Sequence, residues 1–177
     1  VSTSYVEGFY YKPRVDIDEL KKYSDGIIAL SACLAGDISQ ALMDRNYEKA
    51  KNIALQYRDI FGEGNFYLEI QDHGLPEQKE VNAALVKLSK EINIPLVATN
   101  DIHYVNKEDS KIHDVLMCIQ MGKTVNDPNR MRFGSDEFYL KSREEMEELF
   151  PYAPEAIDNT VKIAEMCNIE FDFNTIH

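Results

Sequence analysis

Three short apolar runs, at residues 26–31, 66–70 and 95–99, are each followed by a stretch whose apolar residues recur at helical spacing. This alternation constrains the fold more than any other feature. After the first run come Tyr47, Ala50, Ala54, Tyr57 and Phe61; after the second, Val81, Leu85, Leu88 and Ile92; after the third, Ile112, Val115, Leu116 and Ile119. Steps of three and four residues place each set on one face of a helix, expected to turn inward. Strand–helix alternation of this kind predicts right-handed parallel βαβ units and an α/β fold. An open doubly wound sheet and part of a β/α barrel both satisfy the spacing.

Local signals punctuate the pattern. Asp16 to Glu19 reads as a capping box for a short helix to about residue 23, and Asp44 is expected to cap the helix that carries Tyr47. Gly62 and Gly64 end that helix, and Pro76 fits the first turn of the next. From Gly122 onward the alternation stops. Residues 123–134 read as a long polar loop, and Phe138-Tyr139-Leu140 as a short strand. Ser142 and Glu145 form a capping box, Pro151 stops the helix they start, and Pro154 opens a last helix. That helix is expected to pack through Ile157, Val161, Ala164 and Cys167, before an extended end from residue 169 to 177. The natural division is 1–121 and 122–177.

Each apolar run leads into polar residues able to bind a cation: Cys33, then His73, then Asp101 with His103. In parallel α/β folds all C-terminal strand ends lie on one rim, where active sites are built. Asp101 and His103 are two apart, so an extended backbone points both the same way. One thiolate, two imidazoles and a carboxylate suit a divalent metal, Zn²⁺ or another first-row ion. Glu69, inside the second run, is a weaker candidate, either as a bridging ligand or as a group orienting His73. Taken singly, each residue has an ordinary role: a small buried thiol, a turn histidine, a carboxylate cap. Their coincidence at three successive strand ends is what points to metal.

Other residues carry less chemistry. His113 reads as structural or surface, His177 is terminal, and Cys118 and Cys167 read as packing. The three cysteines form no CxxC or disulfide framework, which fits reduced thiols. The net charge of -12 argues against a main DNA-contact surface. Lys123, Arg130, Arg132 and Lys141 read as a solvated basic cluster in the long loop. No apolar run reaches the roughly 20 residues a bilayer span needs. Without an initiator Met or a signal pattern, the chain is expected to be cytoplasmic and a piece of something longer.

The stretches Leu30-Ser31-Ala32-Cys33-Leu34-Ala35-Gly36, Tyr67-Leu68-Glu69-Ile70-Gln71-Asp72-His73-Gly74 and Ala98-Thr99-Asn100-Asp101-Ile102-His103-Tyr104 resemble the PHP (polymerase and histidinol phosphatase) domain of bacterial DNA polymerase III alpha subunits. Phe138-Tyr139-Leu140-Lys141-Ser142, and Asn159-Thr160 with Cys167-Asn168, continue the likeness over nearly the whole chain. The resemblance implies a distorted (β/α)7-type barrel, here its C-terminal βα units over 1–121, with a helical extension over 122–177 leading toward a palm domain. It implies a metal cluster, usually zinc with manganese or magnesium as alternatives, and places Cys33, His73, Asp101 and His103 at ligand positions. The family's other ligands come from an N-terminal His-x-His motif and further residues that this sequence lacks, so the chain alone is expected to bind metal weakly and to hydrolyse nothing at a useful rate. The implied parent activity is DNA-directed DNA synthesis, with its Mg²⁺ site outside this chain, together with metal-dependent 3′–5′ exonuclease or phosphoesterase action. DNA and other replicase subunits are the implied partners, with no membrane. A non-catalytic scaffold docking a proofreading subunit, or a stand-alone PHP phosphatase, are the alternatives.

Overall fold

The computed structural model describes residues 1–173; part of the expected extended end, and His177, lie outside the described residues. The chain opens with helix α1 (Ser2–Val6), a hairpin of β1 (Phe9–Tyr10) and β2 (Lys12–Pro13), and α2 (Ile17–Lys22). Asp16 caps α2 by accepting from the Glu19 N–H at 2.9 Å. Strand β3 (Ala29–Leu30) follows, then helices α3 (Asp37–Met43) and α4 (Tyr47–Phe61). Next come β4 (Phe66–Ile70), α5 (Pro76–Ile92), β5 (Leu96–Ala98) and a 3₁₀ turn (Lys107–Asp109) leading into α6 (Ser110–Met121). Helices α7 (Arg143–Leu149) and α8 (Pro154–Met166) complete the fold.

The expected parallel α/β arrangement is present as a small sheet in the order β3-β4-β5, with both pairings parallel. Its register sets Leu68 opposite Leu96, Glu69 opposite Val97 and Ile70 opposite Ala98. Strand side chains alternate between faces. One face therefore carries Phe66, Leu68, Ile70, Leu96 and Ala98, which join the core with Ala50, Ala54, Val81, Leu85 and Leu88 from α4 and α5. The other face carries Tyr67, Glu69 and Val97. Helix α8 packs on β5, and Asn159 from α8 donates to the Leu96 carbonyl at 2.8 Å. Phe150, Ala153, Ala156 and Ile157 extend the same core.

Several sequence expectations need correction. Helix α3 has no counterpart in the sequence pattern, because its seven residues are too few to show a period. Asp44 ends α3 instead of capping α4; the cap is Asn46, whose side chain accepts from the Lys49 N–H at 3.1 Å. The apolar face of α6 does not turn inward. Ile112, Val115, Leu116 and Ile119 are exposed, while Met117 and Cys118 are buried. Periodicity reports that a helix has an apolar face, not that a partner covers it. The same holds for α8, where Ile157 is buried but Val161, Ala164 and Cys167 are exposed. Among the described residues, no helix is long and apolar enough to cross a membrane.

Candidate metal centre

The parallel sheet carries the three strand ends to one edge, as the alternation predicts. Cys33 follows β3 in a tight loop. The Gly36 N–H donates to the Cys33 carbonyl at 3.0 Å, and a Cβ at Gly36 would lie 2.4 Å from the Ser31 carbonyl oxygen. Only glycine lets the backbone fold back so closely before α3 begins. The Cys33 thiol is half-buried and in no disulfide among the described residues. It shares a small polar crevice with Ser39, Glu69, Gln71, Gln78 and Asn82.

Asp101 and His103 stand past the end of β5 as a converging pair, with Asp101 Oδ1 and His103 Nε2 3.5 Å apart. Asp101 is left-handed at φ +42°, unusual for a non-glycine residue. The backbone beyond it is held by the segment sequence reading took as a short strand. The His103 N–H donates to the Phe138 carbonyl at 2.9 Å, and Tyr104 and Tyr139 form a parallel bridge. Asn100 donates to the Tyr139 carbonyl, and Lys141 reaches the Asn100 carbonyl-type side-chain oxygen at 3.4 Å. The loop over 122–142 thus returns to the site and fixes its far wall.

Around the pair lies an aromatic cluster that no sequence signal marked. The His103 ring lies 5.3 Å from His113, 4.8 Å from Phe133 and 5.6 Å from Phe138, centroid to centroid. His113, read from sequence as structural or surface, is half-buried in this cluster. The basic loop residues are mostly consumed internally. Arg130 pairs with Asp114 at 2.7 Å, and Lys141 pairs with Glu137 at 3.2 Å and lies over the Tyr139 ring. Neither is a solvated loop charge.

His73 and Glu69 reach the same rim but are already engaged. His73 is fully buried and stacks on Phe138, with ring centroids 4.0 Å apart and planes 11° from parallel. Its Nε2–H donates to the Asn100 carbonyl at 2.8 Å, and its Nδ1 accepts from the Gln78 amide at 2.8 Å. A carbonyl can only accept, which assigns the neutral Nε2–H tautomer. Burial holds this imidazole below its ordinary pKa, against the opposing pull of the Asn100 hydrogen bond. Glu69 accepts from the Ala32 N–H at 3.0 Å, from the Gln71 amide at 2.9 Å and from the Thr99 hydroxyl.

The chemistry of the Asp101–His103 pair fits a divalent cation: one carboxylate and one imidazole converge, with no other polar partner among the described residues. No group of three or more His, Cys, Asp or Glu side chains is arranged to hold a metal among those residues. Cys33 stands at the end of β3 and the Asp101–His103 pair past the end of β5, the two outer strands of the sheet, with β4 between them.

Comparison with known proteins shows what the chain as a whole is similar to. The PHP domain family model matches residues 1–73. The chain is 49% identical over 168 residues to the DNA polymerase III subunit alpha of Treponema pallidum, covering 95% of this chain and 14% of that protein. The subunit alpha of Borreliella burgdorferi is 50% identical over 167 residues, 94% of this chain and 14% of the relative. That of Thermus aquaticus is 46% identical over 172 residues, 96% and 14%. The chain spans 14% of the length of these relatives. Over nearly its whole length the chain is therefore similar to one segment of DNA polymerase III alpha subunits, and its residues 1–73 match the PHP domain family.

Proposed function

We propose that this chain acts as part of a DNA-directed DNA polymerase, and that its strand-end rim is one side of a divalent-metal site that cleaves phosphoesters, of the 3′–5′ exonuclease kind. The convergence of Asp101 and His103 at the sheet edge that also carries Cys33 is the observation that supports it. Cys33, Asp101 and His103 are the donors this chain would bring, and zinc is the favoured ion because thiolate, imidazole and carboxylate are its usual ligands. The remaining donors, the rest of the (β/α)7-type barrel and the Mg²⁺-dependent polymerase carboxylates lie elsewhere in the longer polypeptide. A metal held here would lower the pKa of a bound water and polarise a phosphoryl oxygen. This chain's own part is to hold and orient. The His103 backbone is fixed by Phe138, and its ring is confined by Phe133 and His113.

DNA and replicase subunits are then the partners of the whole protein, in the cytoplasm. The internal pairing of Arg130 and Lys141 supports contact with DNA mainly through other parts of the polypeptide. The polymerase identity of the relatives weighs against a stand-alone phosphatase.

Elemental analysis of the full-length protein tests the reading. Wild type should carry stoichiometric metal and show metal-dependent nuclease action, and His103→Ala should lose both. A metal-free wild type, or undiminished metal and nuclease activity in His103→Ala, would overturn it.

A further inference from the structure

We infer that Glu69 and His73 are positioning residues: together they brace the two strand ends on which Cys33 and the Asp101–His103 pair stand. The inference rests on the proposal that this rim binds a divalent metal, and it concerns how the rim is held in shape.

Glu69 sits in the central strand, between β3 and β5, and reaches both neighbours. Its Oε2 accepts from the N–H of Ala32, the residue directly before Cys33. Its Oε1 accepts from Thr99, two residues before Asp101, and from Gln71 at 2.9 Å. Its own N–H donates to the Ser31 hydroxyl at 2.8 Å. Both carboxylate oxygens are thus spent on the protein, and one side chain ties β3 to β5 across β4.

His73 performs the matching task from the end of β4. Its Nε2–H holds the Asn100 carbonyl, which belongs to the peptide leading into Asp101. Its position is set by Gln78 on α5, which donates to Nδ1 at 2.8 Å and accepts from the His73 backbone N–H at 2.7 Å. A ligand imidazole must present a free nitrogen lone pair. Here one nitrogen carries a proton and the other is occupied.

The strain in the backbone shows what the brace is for. Ala32 has φ +64° and Asp101 has φ +42°. Left-handed non-glycine residues persist only where their surroundings hold them. One of these residues is Asp101 itself and the other immediately precedes Cys33. Glu69 bonds the amide of the first, and His73 bonds the peptide oxygen entering the second. Two of the five positions that sequence reading grouped as ligand candidates therefore act on the other three.

The test uses the full-length polypeptide and two measurements. In chelator-treated protein, the alkylation rate of Cys33 by iodoacetamide and amide exchange over residues 31–34 are followed by peptide mass spectrometry. Glu69→Ala should speed both several-fold. Glu69→Gln should stay near wild type, because glutamine keeps an acceptor for the Ala32 N–H and can donate to Thr99. In the second measurement Co²⁺ is titrated and its visible absorption recorded. Glu69→Ala and His73→Gln should weaken Co²⁺ binding by about 10–100-fold, the usual effect of removing a group that orients a ligand, without moving the bands, while Glu69→Gln should bind Co²⁺ like wild type. Cys33→Ser and His103→Ala should change the bands themselves. Unchanged alkylation and exchange in Glu69→Ala would overturn the brace, as would band shifts of the ligand-loss kind in Glu69→Ala or His73→Gln. If wild type takes up no Co²⁺, the metal reading fails and the metal-free measurements alone decide the brace.

Discussion

His73 shows what a single residue's surroundings can decide. Its position at a strand end was legible in the sequence, because the apolar run before it and the glycine after it mark a strand and a turn. Its bonding was not. Gln78 is five residues away and Asn100 is 27 away, and only the packing of α5 and β5 brings them to the two ring nitrogens. The geometry predicts that nitrogen NMR shifts will report a neutral Nε2–H imidazole near pH 7; an Nδ1–H signature would contradict the hydrogen bonds. His73→Leu should leave the Gln78 amide and the Asn100 carbonyl unpaired in a buried site, at a cost of about 1–3 kcal/mol for each group. Denaturant midpoints of the two proteins would measure the loss. Glu69 has the same history. Sequence reading ranked it low because it lies within a strand, and being in the central strand is what lets it touch both neighbours.

At the scale of elements, the long helices and the sheet were legible while their ends and their partners were less so. Strand β4 lies at the apolar run 66–70, and α5 starts at the expected proline, because a buried strand and a proline first turn both leave clear local signs. The sequence does not settle the start of α4, since Asp44 and Asn46 are both good caps and only the preceding α3 decides between them. Asn46→Ala should therefore destabilise the protein by about 1 kcal/mol through loss of the bond to Lys49 N–H, while Asp44→Ala should cost α4 nothing. Thermal melts of the two variants make the comparison direct. The α3–α4 pair offers a pH test as well. Tyr57 on α4 donates to Asp37 at the start of α3 at 2.7 Å. Burial first, and then this hydrogen bond and the Asp37 charge, push the phenol from 10.0 up to about 12. The neutral phenol is thus favoured in the folded state, and its contribution is complete below pH 10 and is lost as pH rises from 10.0 to about 12. Wild type should lose stability faster than Tyr57→Phe across that window, with tyrosinate absorption following the same titration. Parallel slopes for the two proteins would contradict the Tyr57–Asp37 link.

For the molecule as a whole, the surface carries more apolar area than its own elements cover. Ile112, Val115, Leu116 and Ile119 form one exposed face on α6, while His113 and Asp114 of the same helix face Phe133 and Arg130. Tyr5, Phe9, Tyr10 and Tyr11 add exposed aromatics near the amino-terminal hairpin. Contiguous apolar faces of this kind are rare on isolated monomers and mark interaction surfaces or aggregation hazards. The sheet compounds the effect, because among the described residues β3 and β5 each leave one edge without a partner strand in the order β3-β4-β5. The net charge of -12 opposes association at long range, yet salt screens it beyond about 10 Å at 0.1 M ionic strength. Contact between apolar faces is not weakened in this way, so added salt should favour self-association of the 177-residue chain prepared alone. Size-exclusion chromatography with light scattering should show mass rising with protein and salt concentration. Leu116→Lys together with Ile119→Lys should restore a monomer, because both side chains are already exposed and their replacement removes apolar contact without opening the core. A wild-type chain that stays monomeric at high salt and high concentration would show that the α6 face is not sticky enough to drive association by itself.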